Sequence, residues 1–204
     1  MRKYVIFDFD GTLADAKRVV FETINALAER YGFPKLEENQ MNQMKNVSTE
    51  SYQLIASDFY ALYKKSMHKI TLFDGMKDVL QVLEEHGIGI AVISSNEESN
   101  IREYFASQQI ECIQEVYTSS DLYGKDRMID DFCARHQLRK QEVLYVGDEL
   151  RDIAACKRSG VDIVWVNWGY ATEAEAAEAN PTYFAYKPHD IVKYALQQVP
   201  SIEA

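Results

Sequence analysis

The sequence predicts an α/β fold: a Rossmann-like parallel sheet with helices on both faces, and a small all-α unit inserted after the first strand. Three observations lead there. Four short apolar runs, rich in β-branched and aromatic residues, each stop at a polar residue or glycine, as strands buried on both faces do. Apolar residues at helical spacing recur between the runs, and this alternation implies a parallel sheet covered by helices. The stretch from 16 to about 70 breaks the alternation, because it is helical in pattern and holds no convincing strand.

The first strand is Tyr4 to Phe7. In the stretch that follows, Val20, Ile24, Leu27 and Tyr31 make one helical stripe before Gly32 and Pro34, and Tyr52, Ala56, Phe59 and Tyr63 make another. The main body resumes near Phe73-Asp74-Gly75. Val79, Leu80 and Leu83 mark a helix closed by Gly87, and Ile88 to Ile93 is the second strand. Ile101, Tyr104 and Phe105 mark a helix, Val116 to Thr118 a weaker strand, and Met128, Ile129, Phe132 and His136 another helix. Val143 to Val146 is the third strong strand. A helix over Ile153 to Ser159 ends at Gly160, Ile163 to Val166 is the fourth strand, and the Ala/Glu-rich piece Thr172 to Ala179 reads as a solvated helix. The expected division is a core of residues 1–15 and 72–204 with a helical unit at 16–71.

Composition narrows the class. The 204 residues suit one domain carrying an insertion, and 47 % hydrophobic against 26 % charged side chains can build a sizeable core. A net charge of −10 has the wrong sign for wrapping a polyanion, so nucleic acid is not an expected partner. Cys112, Cys133 and Cys156 are odd in number and show no CxxC spacing, which suggests neither a disulfide framework nor a cysteine zinc site. No run approaches the roughly 18 apolar residues of a membrane span, and the four apolar residues between Met1-Arg2-Lys3 and Asp8 are too few for a signal-peptide core; a cytoplasmic location is expected. The N-x-S sequence at Asn46 is then chance. His68, His86, His136 and His189 share no ligand spacing, and Met41, Met44, Tyr52, Phe59 and Tyr63 read as the packed core of the insertion.

In an open parallel sheet, ligands bind beyond the carboxyl ends of the strands. After the first run comes Asp8-Phe9-Asp10-Gly11-Thr12, after the second Ser94-Ser95-Asn96, and after the third Gly147-Asp148-Glu149-Leu150-Arg151-Asp152; Lys125 opens a helix between them. Carboxylates gathered at one rim repel one another unless a cation neutralises them, and a cluster of oxygen donors suits Mg²⁺. A metal, a lysine and a hydroxyl aimed at one point can balance a phosphoryl group, whose transfer depends on positioning and charge stabilisation. One Asp can then act as a covalent nucleophile, and a second, two residues on, can protonate the leaving group and later deprotonate water.

Asp8-x-Asp10-Gly-Thr, Ser94 at a strand end, Lys125 and Gly147-Asp148-x3-Asp152 resemble, in order and across almost the whole chain, the four motifs of the haloacid dehalogenase superfamily. The helical insertion, the Asp74-Gly75 pair and the Trp168-Gly169-Tyr170 turn resemble its phosphoglycolate phosphatase-like branch, in which a cap follows the first motif. The resemblance implies Asp8 as nucleophile, Asp10 as general acid and base, and Ser94 and Lys125 on the phosphoryl oxygens. It places Mg²⁺ on Asp8, Asp148 and the Asp10 carbonyl, with Asp152 as an auxiliary metal residue. Thr12 and Ser95 join the expected substrate-binding set. Lys125 is followed by Asp126 where many relatives have Pro.

The expected function is therefore Mg²⁺-dependent hydrolysis of a small-molecule phosphate ester through phospho-Asp8, under a mobile helical lid. A phosphomutase would share the intermediate, but mutases of this kind tend to carry an acidic residue where Gly147 stands. A dehalogenase has no use for Asp10 or a metal. A binding protein that has lost turnover would not need every motif intact. Oligomeric state is not legible in the sequence.

Overall fold

The structure is a computed structural model and describes residues 1–37, 49–118 and 124–197. In chain order the elements are β1 (Tyr4–Phe7), β2 (Ala14–Asp15), α1 (Lys17–Tyr31), α2 (Thr49–Ser66), β3 (Thr71–Leu72), α3 (Met76–Glu85), β4 (Gly89–Ser94), α4 (Glu98–Ser107), β5 (Ile113–Thr118), α5 (Lys125–Arg135), β6 (Val143–Gly147), α6 (Leu150–Ser159), β7 (Asp162–Val166), α7 (Glu173–Ala179), β8 (Tyr183–Ala185) and α8 (His189–Leu196). Short 3₁₀ turns at Met67–Lys69 and Lys140–Glu142 lead into β3 and β6.

Six strands form one sheet in the order β5-β4-β1-β6-β7-β8, every pair parallel. Residues alternate between its two faces, as the period of 2 requires. Val5, Phe7, Ile90, Val92, Leu144, Val146, Val164 and Val166 pack on one side with α3, α4 and α8. Ile6, Ala91, Ile93, Val143, Tyr145, Ile163 and Trp165 pack on the other with α5 and α6. All five predicted strands are present. β8 was not predicted; its three residues follow Pro181 at the sheet edge and are too few to show a pattern. The chain leaves β1 towards β4 on one flank and later returns to β6 on the other, so β1 is the switch point where the two halves diverge and a crevice opens.

The helical stretch after β1 is closed at its base by β2 and β3, which pair antiparallel with Ala14 opposite Leu72. Its two connections are thus tied together as one ribbon. α1 buries Val19, Thr23, Ile24, Leu27 and Ala28, a face rotated by about one residue from the predicted stripe at Val20, and ends at Gly32 in the left-handed conformation that glycine adopts freely. Met41, Met44 and Asn46 lie outside the described residues, as does the side chain of Tyr52. Cys112, Cys133 and Cys156 are free thiols. No helix among the described residues is long and apolar enough to cross a membrane.

Candidate active site

Each strand of the switch point delivers its polar residues to one rim. Beyond β1 the chain turns tightly, with Leu13 and Ala14 N–H groups both donating to the Phe9 carbonyl, and this carries Asp8, Asp10 and Thr12 to the crevice. Gly11 has φ +84°, and a Cβ there would lie 2.6 Å from Asp148 Oδ2. Only glycine lets this turn approach the β6 carboxylate so closely. A Cβ on Gly169 would fall 2.2 Å from Asp148 atoms, so the turn after β7 presses equally close from the other side.

Lys125, the first residue of α5, is buried and joins two carboxylates: its Nζ lies 2.7 Å from Asp8 Oδ2 and 2.6 Å from Asp152 Oδ1. Asp8 Oδ1 accepts the Phe9 N–H at 2.7 Å. Asp148 is fully buried and accepts from the Thr12 hydroxyl at 2.8 Å and from the Tyr170 N–H at 2.7 Å. Asp152 caps its own helix by accepting the Glu149 N–H at 3.1 Å. Ser94 is buried, with its Oγ accepting the Asn96 N–H at 3.2 Å, and Ser95 Oγ accepts from Arg151 at 3.3 Å. The eight site residues read from the sequence, Asp8, Asp10, Thr12, Ser94, Ser95, Lys125, Asp148 and Asp152, therefore lie at this rim. The Thr12 hydroxyl is directed at Asp148.

Carboxylate oxygens of Asp8, Asp148 and Asp152 lie within 4.8 Å of one another. Burial, reinforced by Glu149, Asp8 and Asp152, pushes Asp148 well above the usual carboxylate range. Burial raises Asp152 to about 6 even though Lys125 pulls it down. For Lys125 burial works against the charge, yet Asp152 and Asp8 outweigh it and hold the ammonium protonated. One lysine thus pairs with two of the three buried acids. The donor set is all oxygen, close-spaced and short of positive charge, which fits a hard divalent cation.

Two phenols reach the rim that sequence reasoning did not place there. From α2, the Tyr63 hydroxyl donates to Asp10 Oδ1 at 2.5 Å and the Tyr60 hydroxyl donates to the Ser95 carbonyl. Asn96 Nδ2 donates to Asp10 Oδ2 at 2.9 Å. Burial raises Asp10 to about 6, against the lowering effect of these two bonds. The Tyr63 phenol is pushed well above its ordinary range, first by burial and then by Asp10. Arg151 pairs with Glu149 at the mouth. Tyr63 was read as core and its ring is indeed fully buried. The signal was its hydroxyl, since a buried phenol needs a partner where Leu or Phe would not.

A family model described as haloacid dehalogenase-like hydrolase matches residues 5–166, and the chain belongs to that family. Within that family the chain is similar to phosphatases. It is 26 % identical to a phosphoglycolate phosphatase of Synechococcus elongatus over 95 % of this chain and 97 % of that one. To a phosphoglycolate phosphatase of Vibrio parahaemolyticus it is 23 % identical, over 90 % and 91 % of the two chains. A haloacid dehalogenase-like family hydrolase from Streptococcus pneumoniae superposes with a TM-score of 0.81 at 20 % identity, over 95 % of this chain and 98 % of that one, and so shares the fold.

Proposed function

We propose that the chain is a Mg²⁺-dependent phosphatase that hydrolyses a small phosphorylated metabolite through an aspartyl-phosphate on Asp8, in the cytoplasm. The observation that carries this reading is the Lys125 bridge between Asp8 and Asp152 beside the buried Asp148. Asp8, Asp148 and the Asp10 carbonyl would hold the cation, with Asp152 in support. Bound there, it would supply charge to offset the phosphoryl oxygens.

The chain's own groups carry the steps. Asp8 attacks phosphorus, while Ser94 and Lys125 bind the phosphoryl oxygens. Asp10 gives a proton to the leaving oxygen and then takes one from the water that attacks phospho-Asp8. Thr12 holds Asp148 in place, and Ser95 stands on the substrate side. Residues 16–71 form the lid over a core of 1–15 and 72–204, and closure excludes bulk water. The relatives' names make phosphoglycolate the first ester to try.

The test is phosphate release from phosphoglycolate and a panel of metabolite esters, with and without Mg²⁺, for the wild-type chain and Asp8→Asn. Turnover should require the metal and fall by about three orders of magnitude or more in the variant, because an amide cannot form the phosphoryl ester. Retained activity in a folded Asp8→Asn chain sinks the nucleophile assignment. Isomerised sugar phosphate with little free phosphate would point to a mutase instead.

A further inference from the structure

Helix α2 brings two phenols to the rim, three residues apart and so on one face of the helix. Tyr60 reaches the backbone after β4, whereas Tyr63 reaches a carboxylate: its hydroxyl lies 2.5 Å from Asp10 Oδ1, while Asn96 Nδ2 holds Oδ2 at 2.9 Å. A carboxyl group on a short side chain turns freely unless both oxygens are engaged. Here one bond comes from the core and the other from the insertion. The Tyr63 ring is itself fully buried and packs against Phe59 at a centroid separation of 6.0 Å, so the donor is held as firmly as the group it orients. Asn96 is supported in the same way by Asn100, whose Nδ2 donates to Asn96 Oδ1 at 3.3 Å.

We infer that Tyr63 is a positioning residue for Asp10: the inserted helix supplies the hydrogen bond that fixes the plane in which the acid meets the leaving oxygen. This rests on the phosphatase reading above. In the first half-reaction the Asp8 oxygen–phosphorus bond forms, the bond from phosphorus to the leaving oxygen breaks, and the Asp10 proton passes to that oxygen. In the second, water oxygen bonds to phosphorus, the bond to Asp8 breaks, and the water proton returns to Asp10. Tyr63 keeps its own proton throughout. Its contribution is therefore largest when the leaving oxygen must be protonated as it departs, as an alkoxide must, and smallest for a nitrophenolate, which departs as a stable anion.

The experiment compares benzyl phosphate with p-nitrophenyl phosphate, esters of similar size and unlike leaving groups, in the full-length chain with Mg²⁺. The quantity read is kcat/KM, which ends at loss of the leaving group and excludes the dephosphorylation that both esters share. Tyr63→Phe should lower kcat/KM for the benzyl ester about tenfold more than for the nitrophenyl ester. Tyr60→Phe removes a hydroxyl from the same helix face without touching Asp10, and should change both esters by one common factor. Equal losses for the two esters in Tyr63→Phe, or the same selectivity shift in Tyr60→Phe, would reduce Tyr63 to a docking contact and overturn the inference. If the Tyr63→Phe chain does not fold, the wild-type structure with a beryllofluoride adduct decides: a Tyr63 hydroxyl beyond about 3.5 Å from Asp10 in the adduct overturns it, and a retained bond supports it. A wild-type chain that releases no phosphate from either ester or from metabolite monoesters takes the phosphatase reading down as well, whereas wild-type turnover without a selectivity shift defeats the Tyr63 role alone.

Discussion

The two ends of the six-stranded sheet both bury charge, and they handle it in opposite ways. At the amino ends of the strands, Arg2 is buried, donates to the carbonyls of Gln141 and Val143 at 2.8 and 3.0 Å, and pairs with Asp162; beside it Lys3 lies 2.9 Å from Glu142. Each charge there has a partner of opposite sign. At the carboxyl ends, Lys125 pairs with Asp8 and Asp152, Asp148 has no cation bonded to it among the described residues, and two of the three acids are pushed upward. Unmatched buried charge is costly, so a fold that balances one end and leaves the other in deficit has kept room for a cation from outside. The contrast separates groups that stabilise the chain from the groups proposed above to work.

The largest break in that contrast comes from Lys125→Met. It removes the only positive charge bonded to Asp8 and Asp152 among the described residues, and should destabilise the metal-free chain by about 3 kcal/mol, because breaking a buried pair leaves the remaining charges uncompensated. Turnover should fall about a hundredfold or more as well. Denaturant unfolding and steady-state rates check the two effects; a variant that loses activity at unchanged stability would mean that the acids at this end are not strained by their neighbours.

Asp148→Asn sharpens the comparison from the other direction. Taking one charge from the crowded end should raise the melting temperature of the metal-free chain by about 3 °C, even though activity is lost. The wild-type chain should in turn be stabilised by Mg²⁺, and the variant should lose that shift. Thermal melts with and without the ion read both. A variant that melts lower than wild type, or keeps the shift, would place the cation elsewhere.

Arg2→Met should cost about 2 kcal/mol, since hydrogen bonds to a charged group are lost and Asp162 is partly open to water. Its kcat should match that of wild type, because it lies at the far end of the strands from Asp8. A fall in kcat at full folding would mean that the two ends communicate through the sheet.

The carboxyl end was the legible end. Its acids follow apolar runs directly, so strand recognition and site recognition were one step, and Asp8, Ser94 and Asp148 were placed by where Phe7, Ile93 and Gly147 fall. The amino end was not, because pairing Arg2 with Asp162 requires knowing how strands 160 residues apart are arranged. β2 and β3, two residues each, are below the length at which alternation shows. The phenols of α2 were hidden for a different reason: helical spacing assigns a ring to the interior and says nothing of the atom at its tip.

The smallest effect expected belongs to Glu142, and it tests the balanced end by pH. The bond from the Arg139 side chain, followed by its backbone N–H and by Lys3, holds this carboxyl at about 2 against an ordinary 4.5. A group whose folded value is depressed contributes stability that is fully present above its unfolded value and is lost as pH falls through the folded one. The contribution of Glu142 should therefore be intact at neutral pH and decline between about 4.5 and 2. At the other end the sign reverses, since Asp10 and Asp152 are raised to about 6: in the metal-free chain their contribution is present below about 4 and declines as pH rises through 6. Glu142→Gln should consequently be less stable than wild type at pH 7 and approach it as the pH falls towards 2. Its unfolding free energy, measured across that range at fixed ionic strength, should lose part of the acid-limb slope and leave the decline between 4 and 6 unchanged. If the slope between 4 and 6 flattens instead, the carboxyls of the two ends are coupled, and the division between a balanced end and a deficient one does not hold.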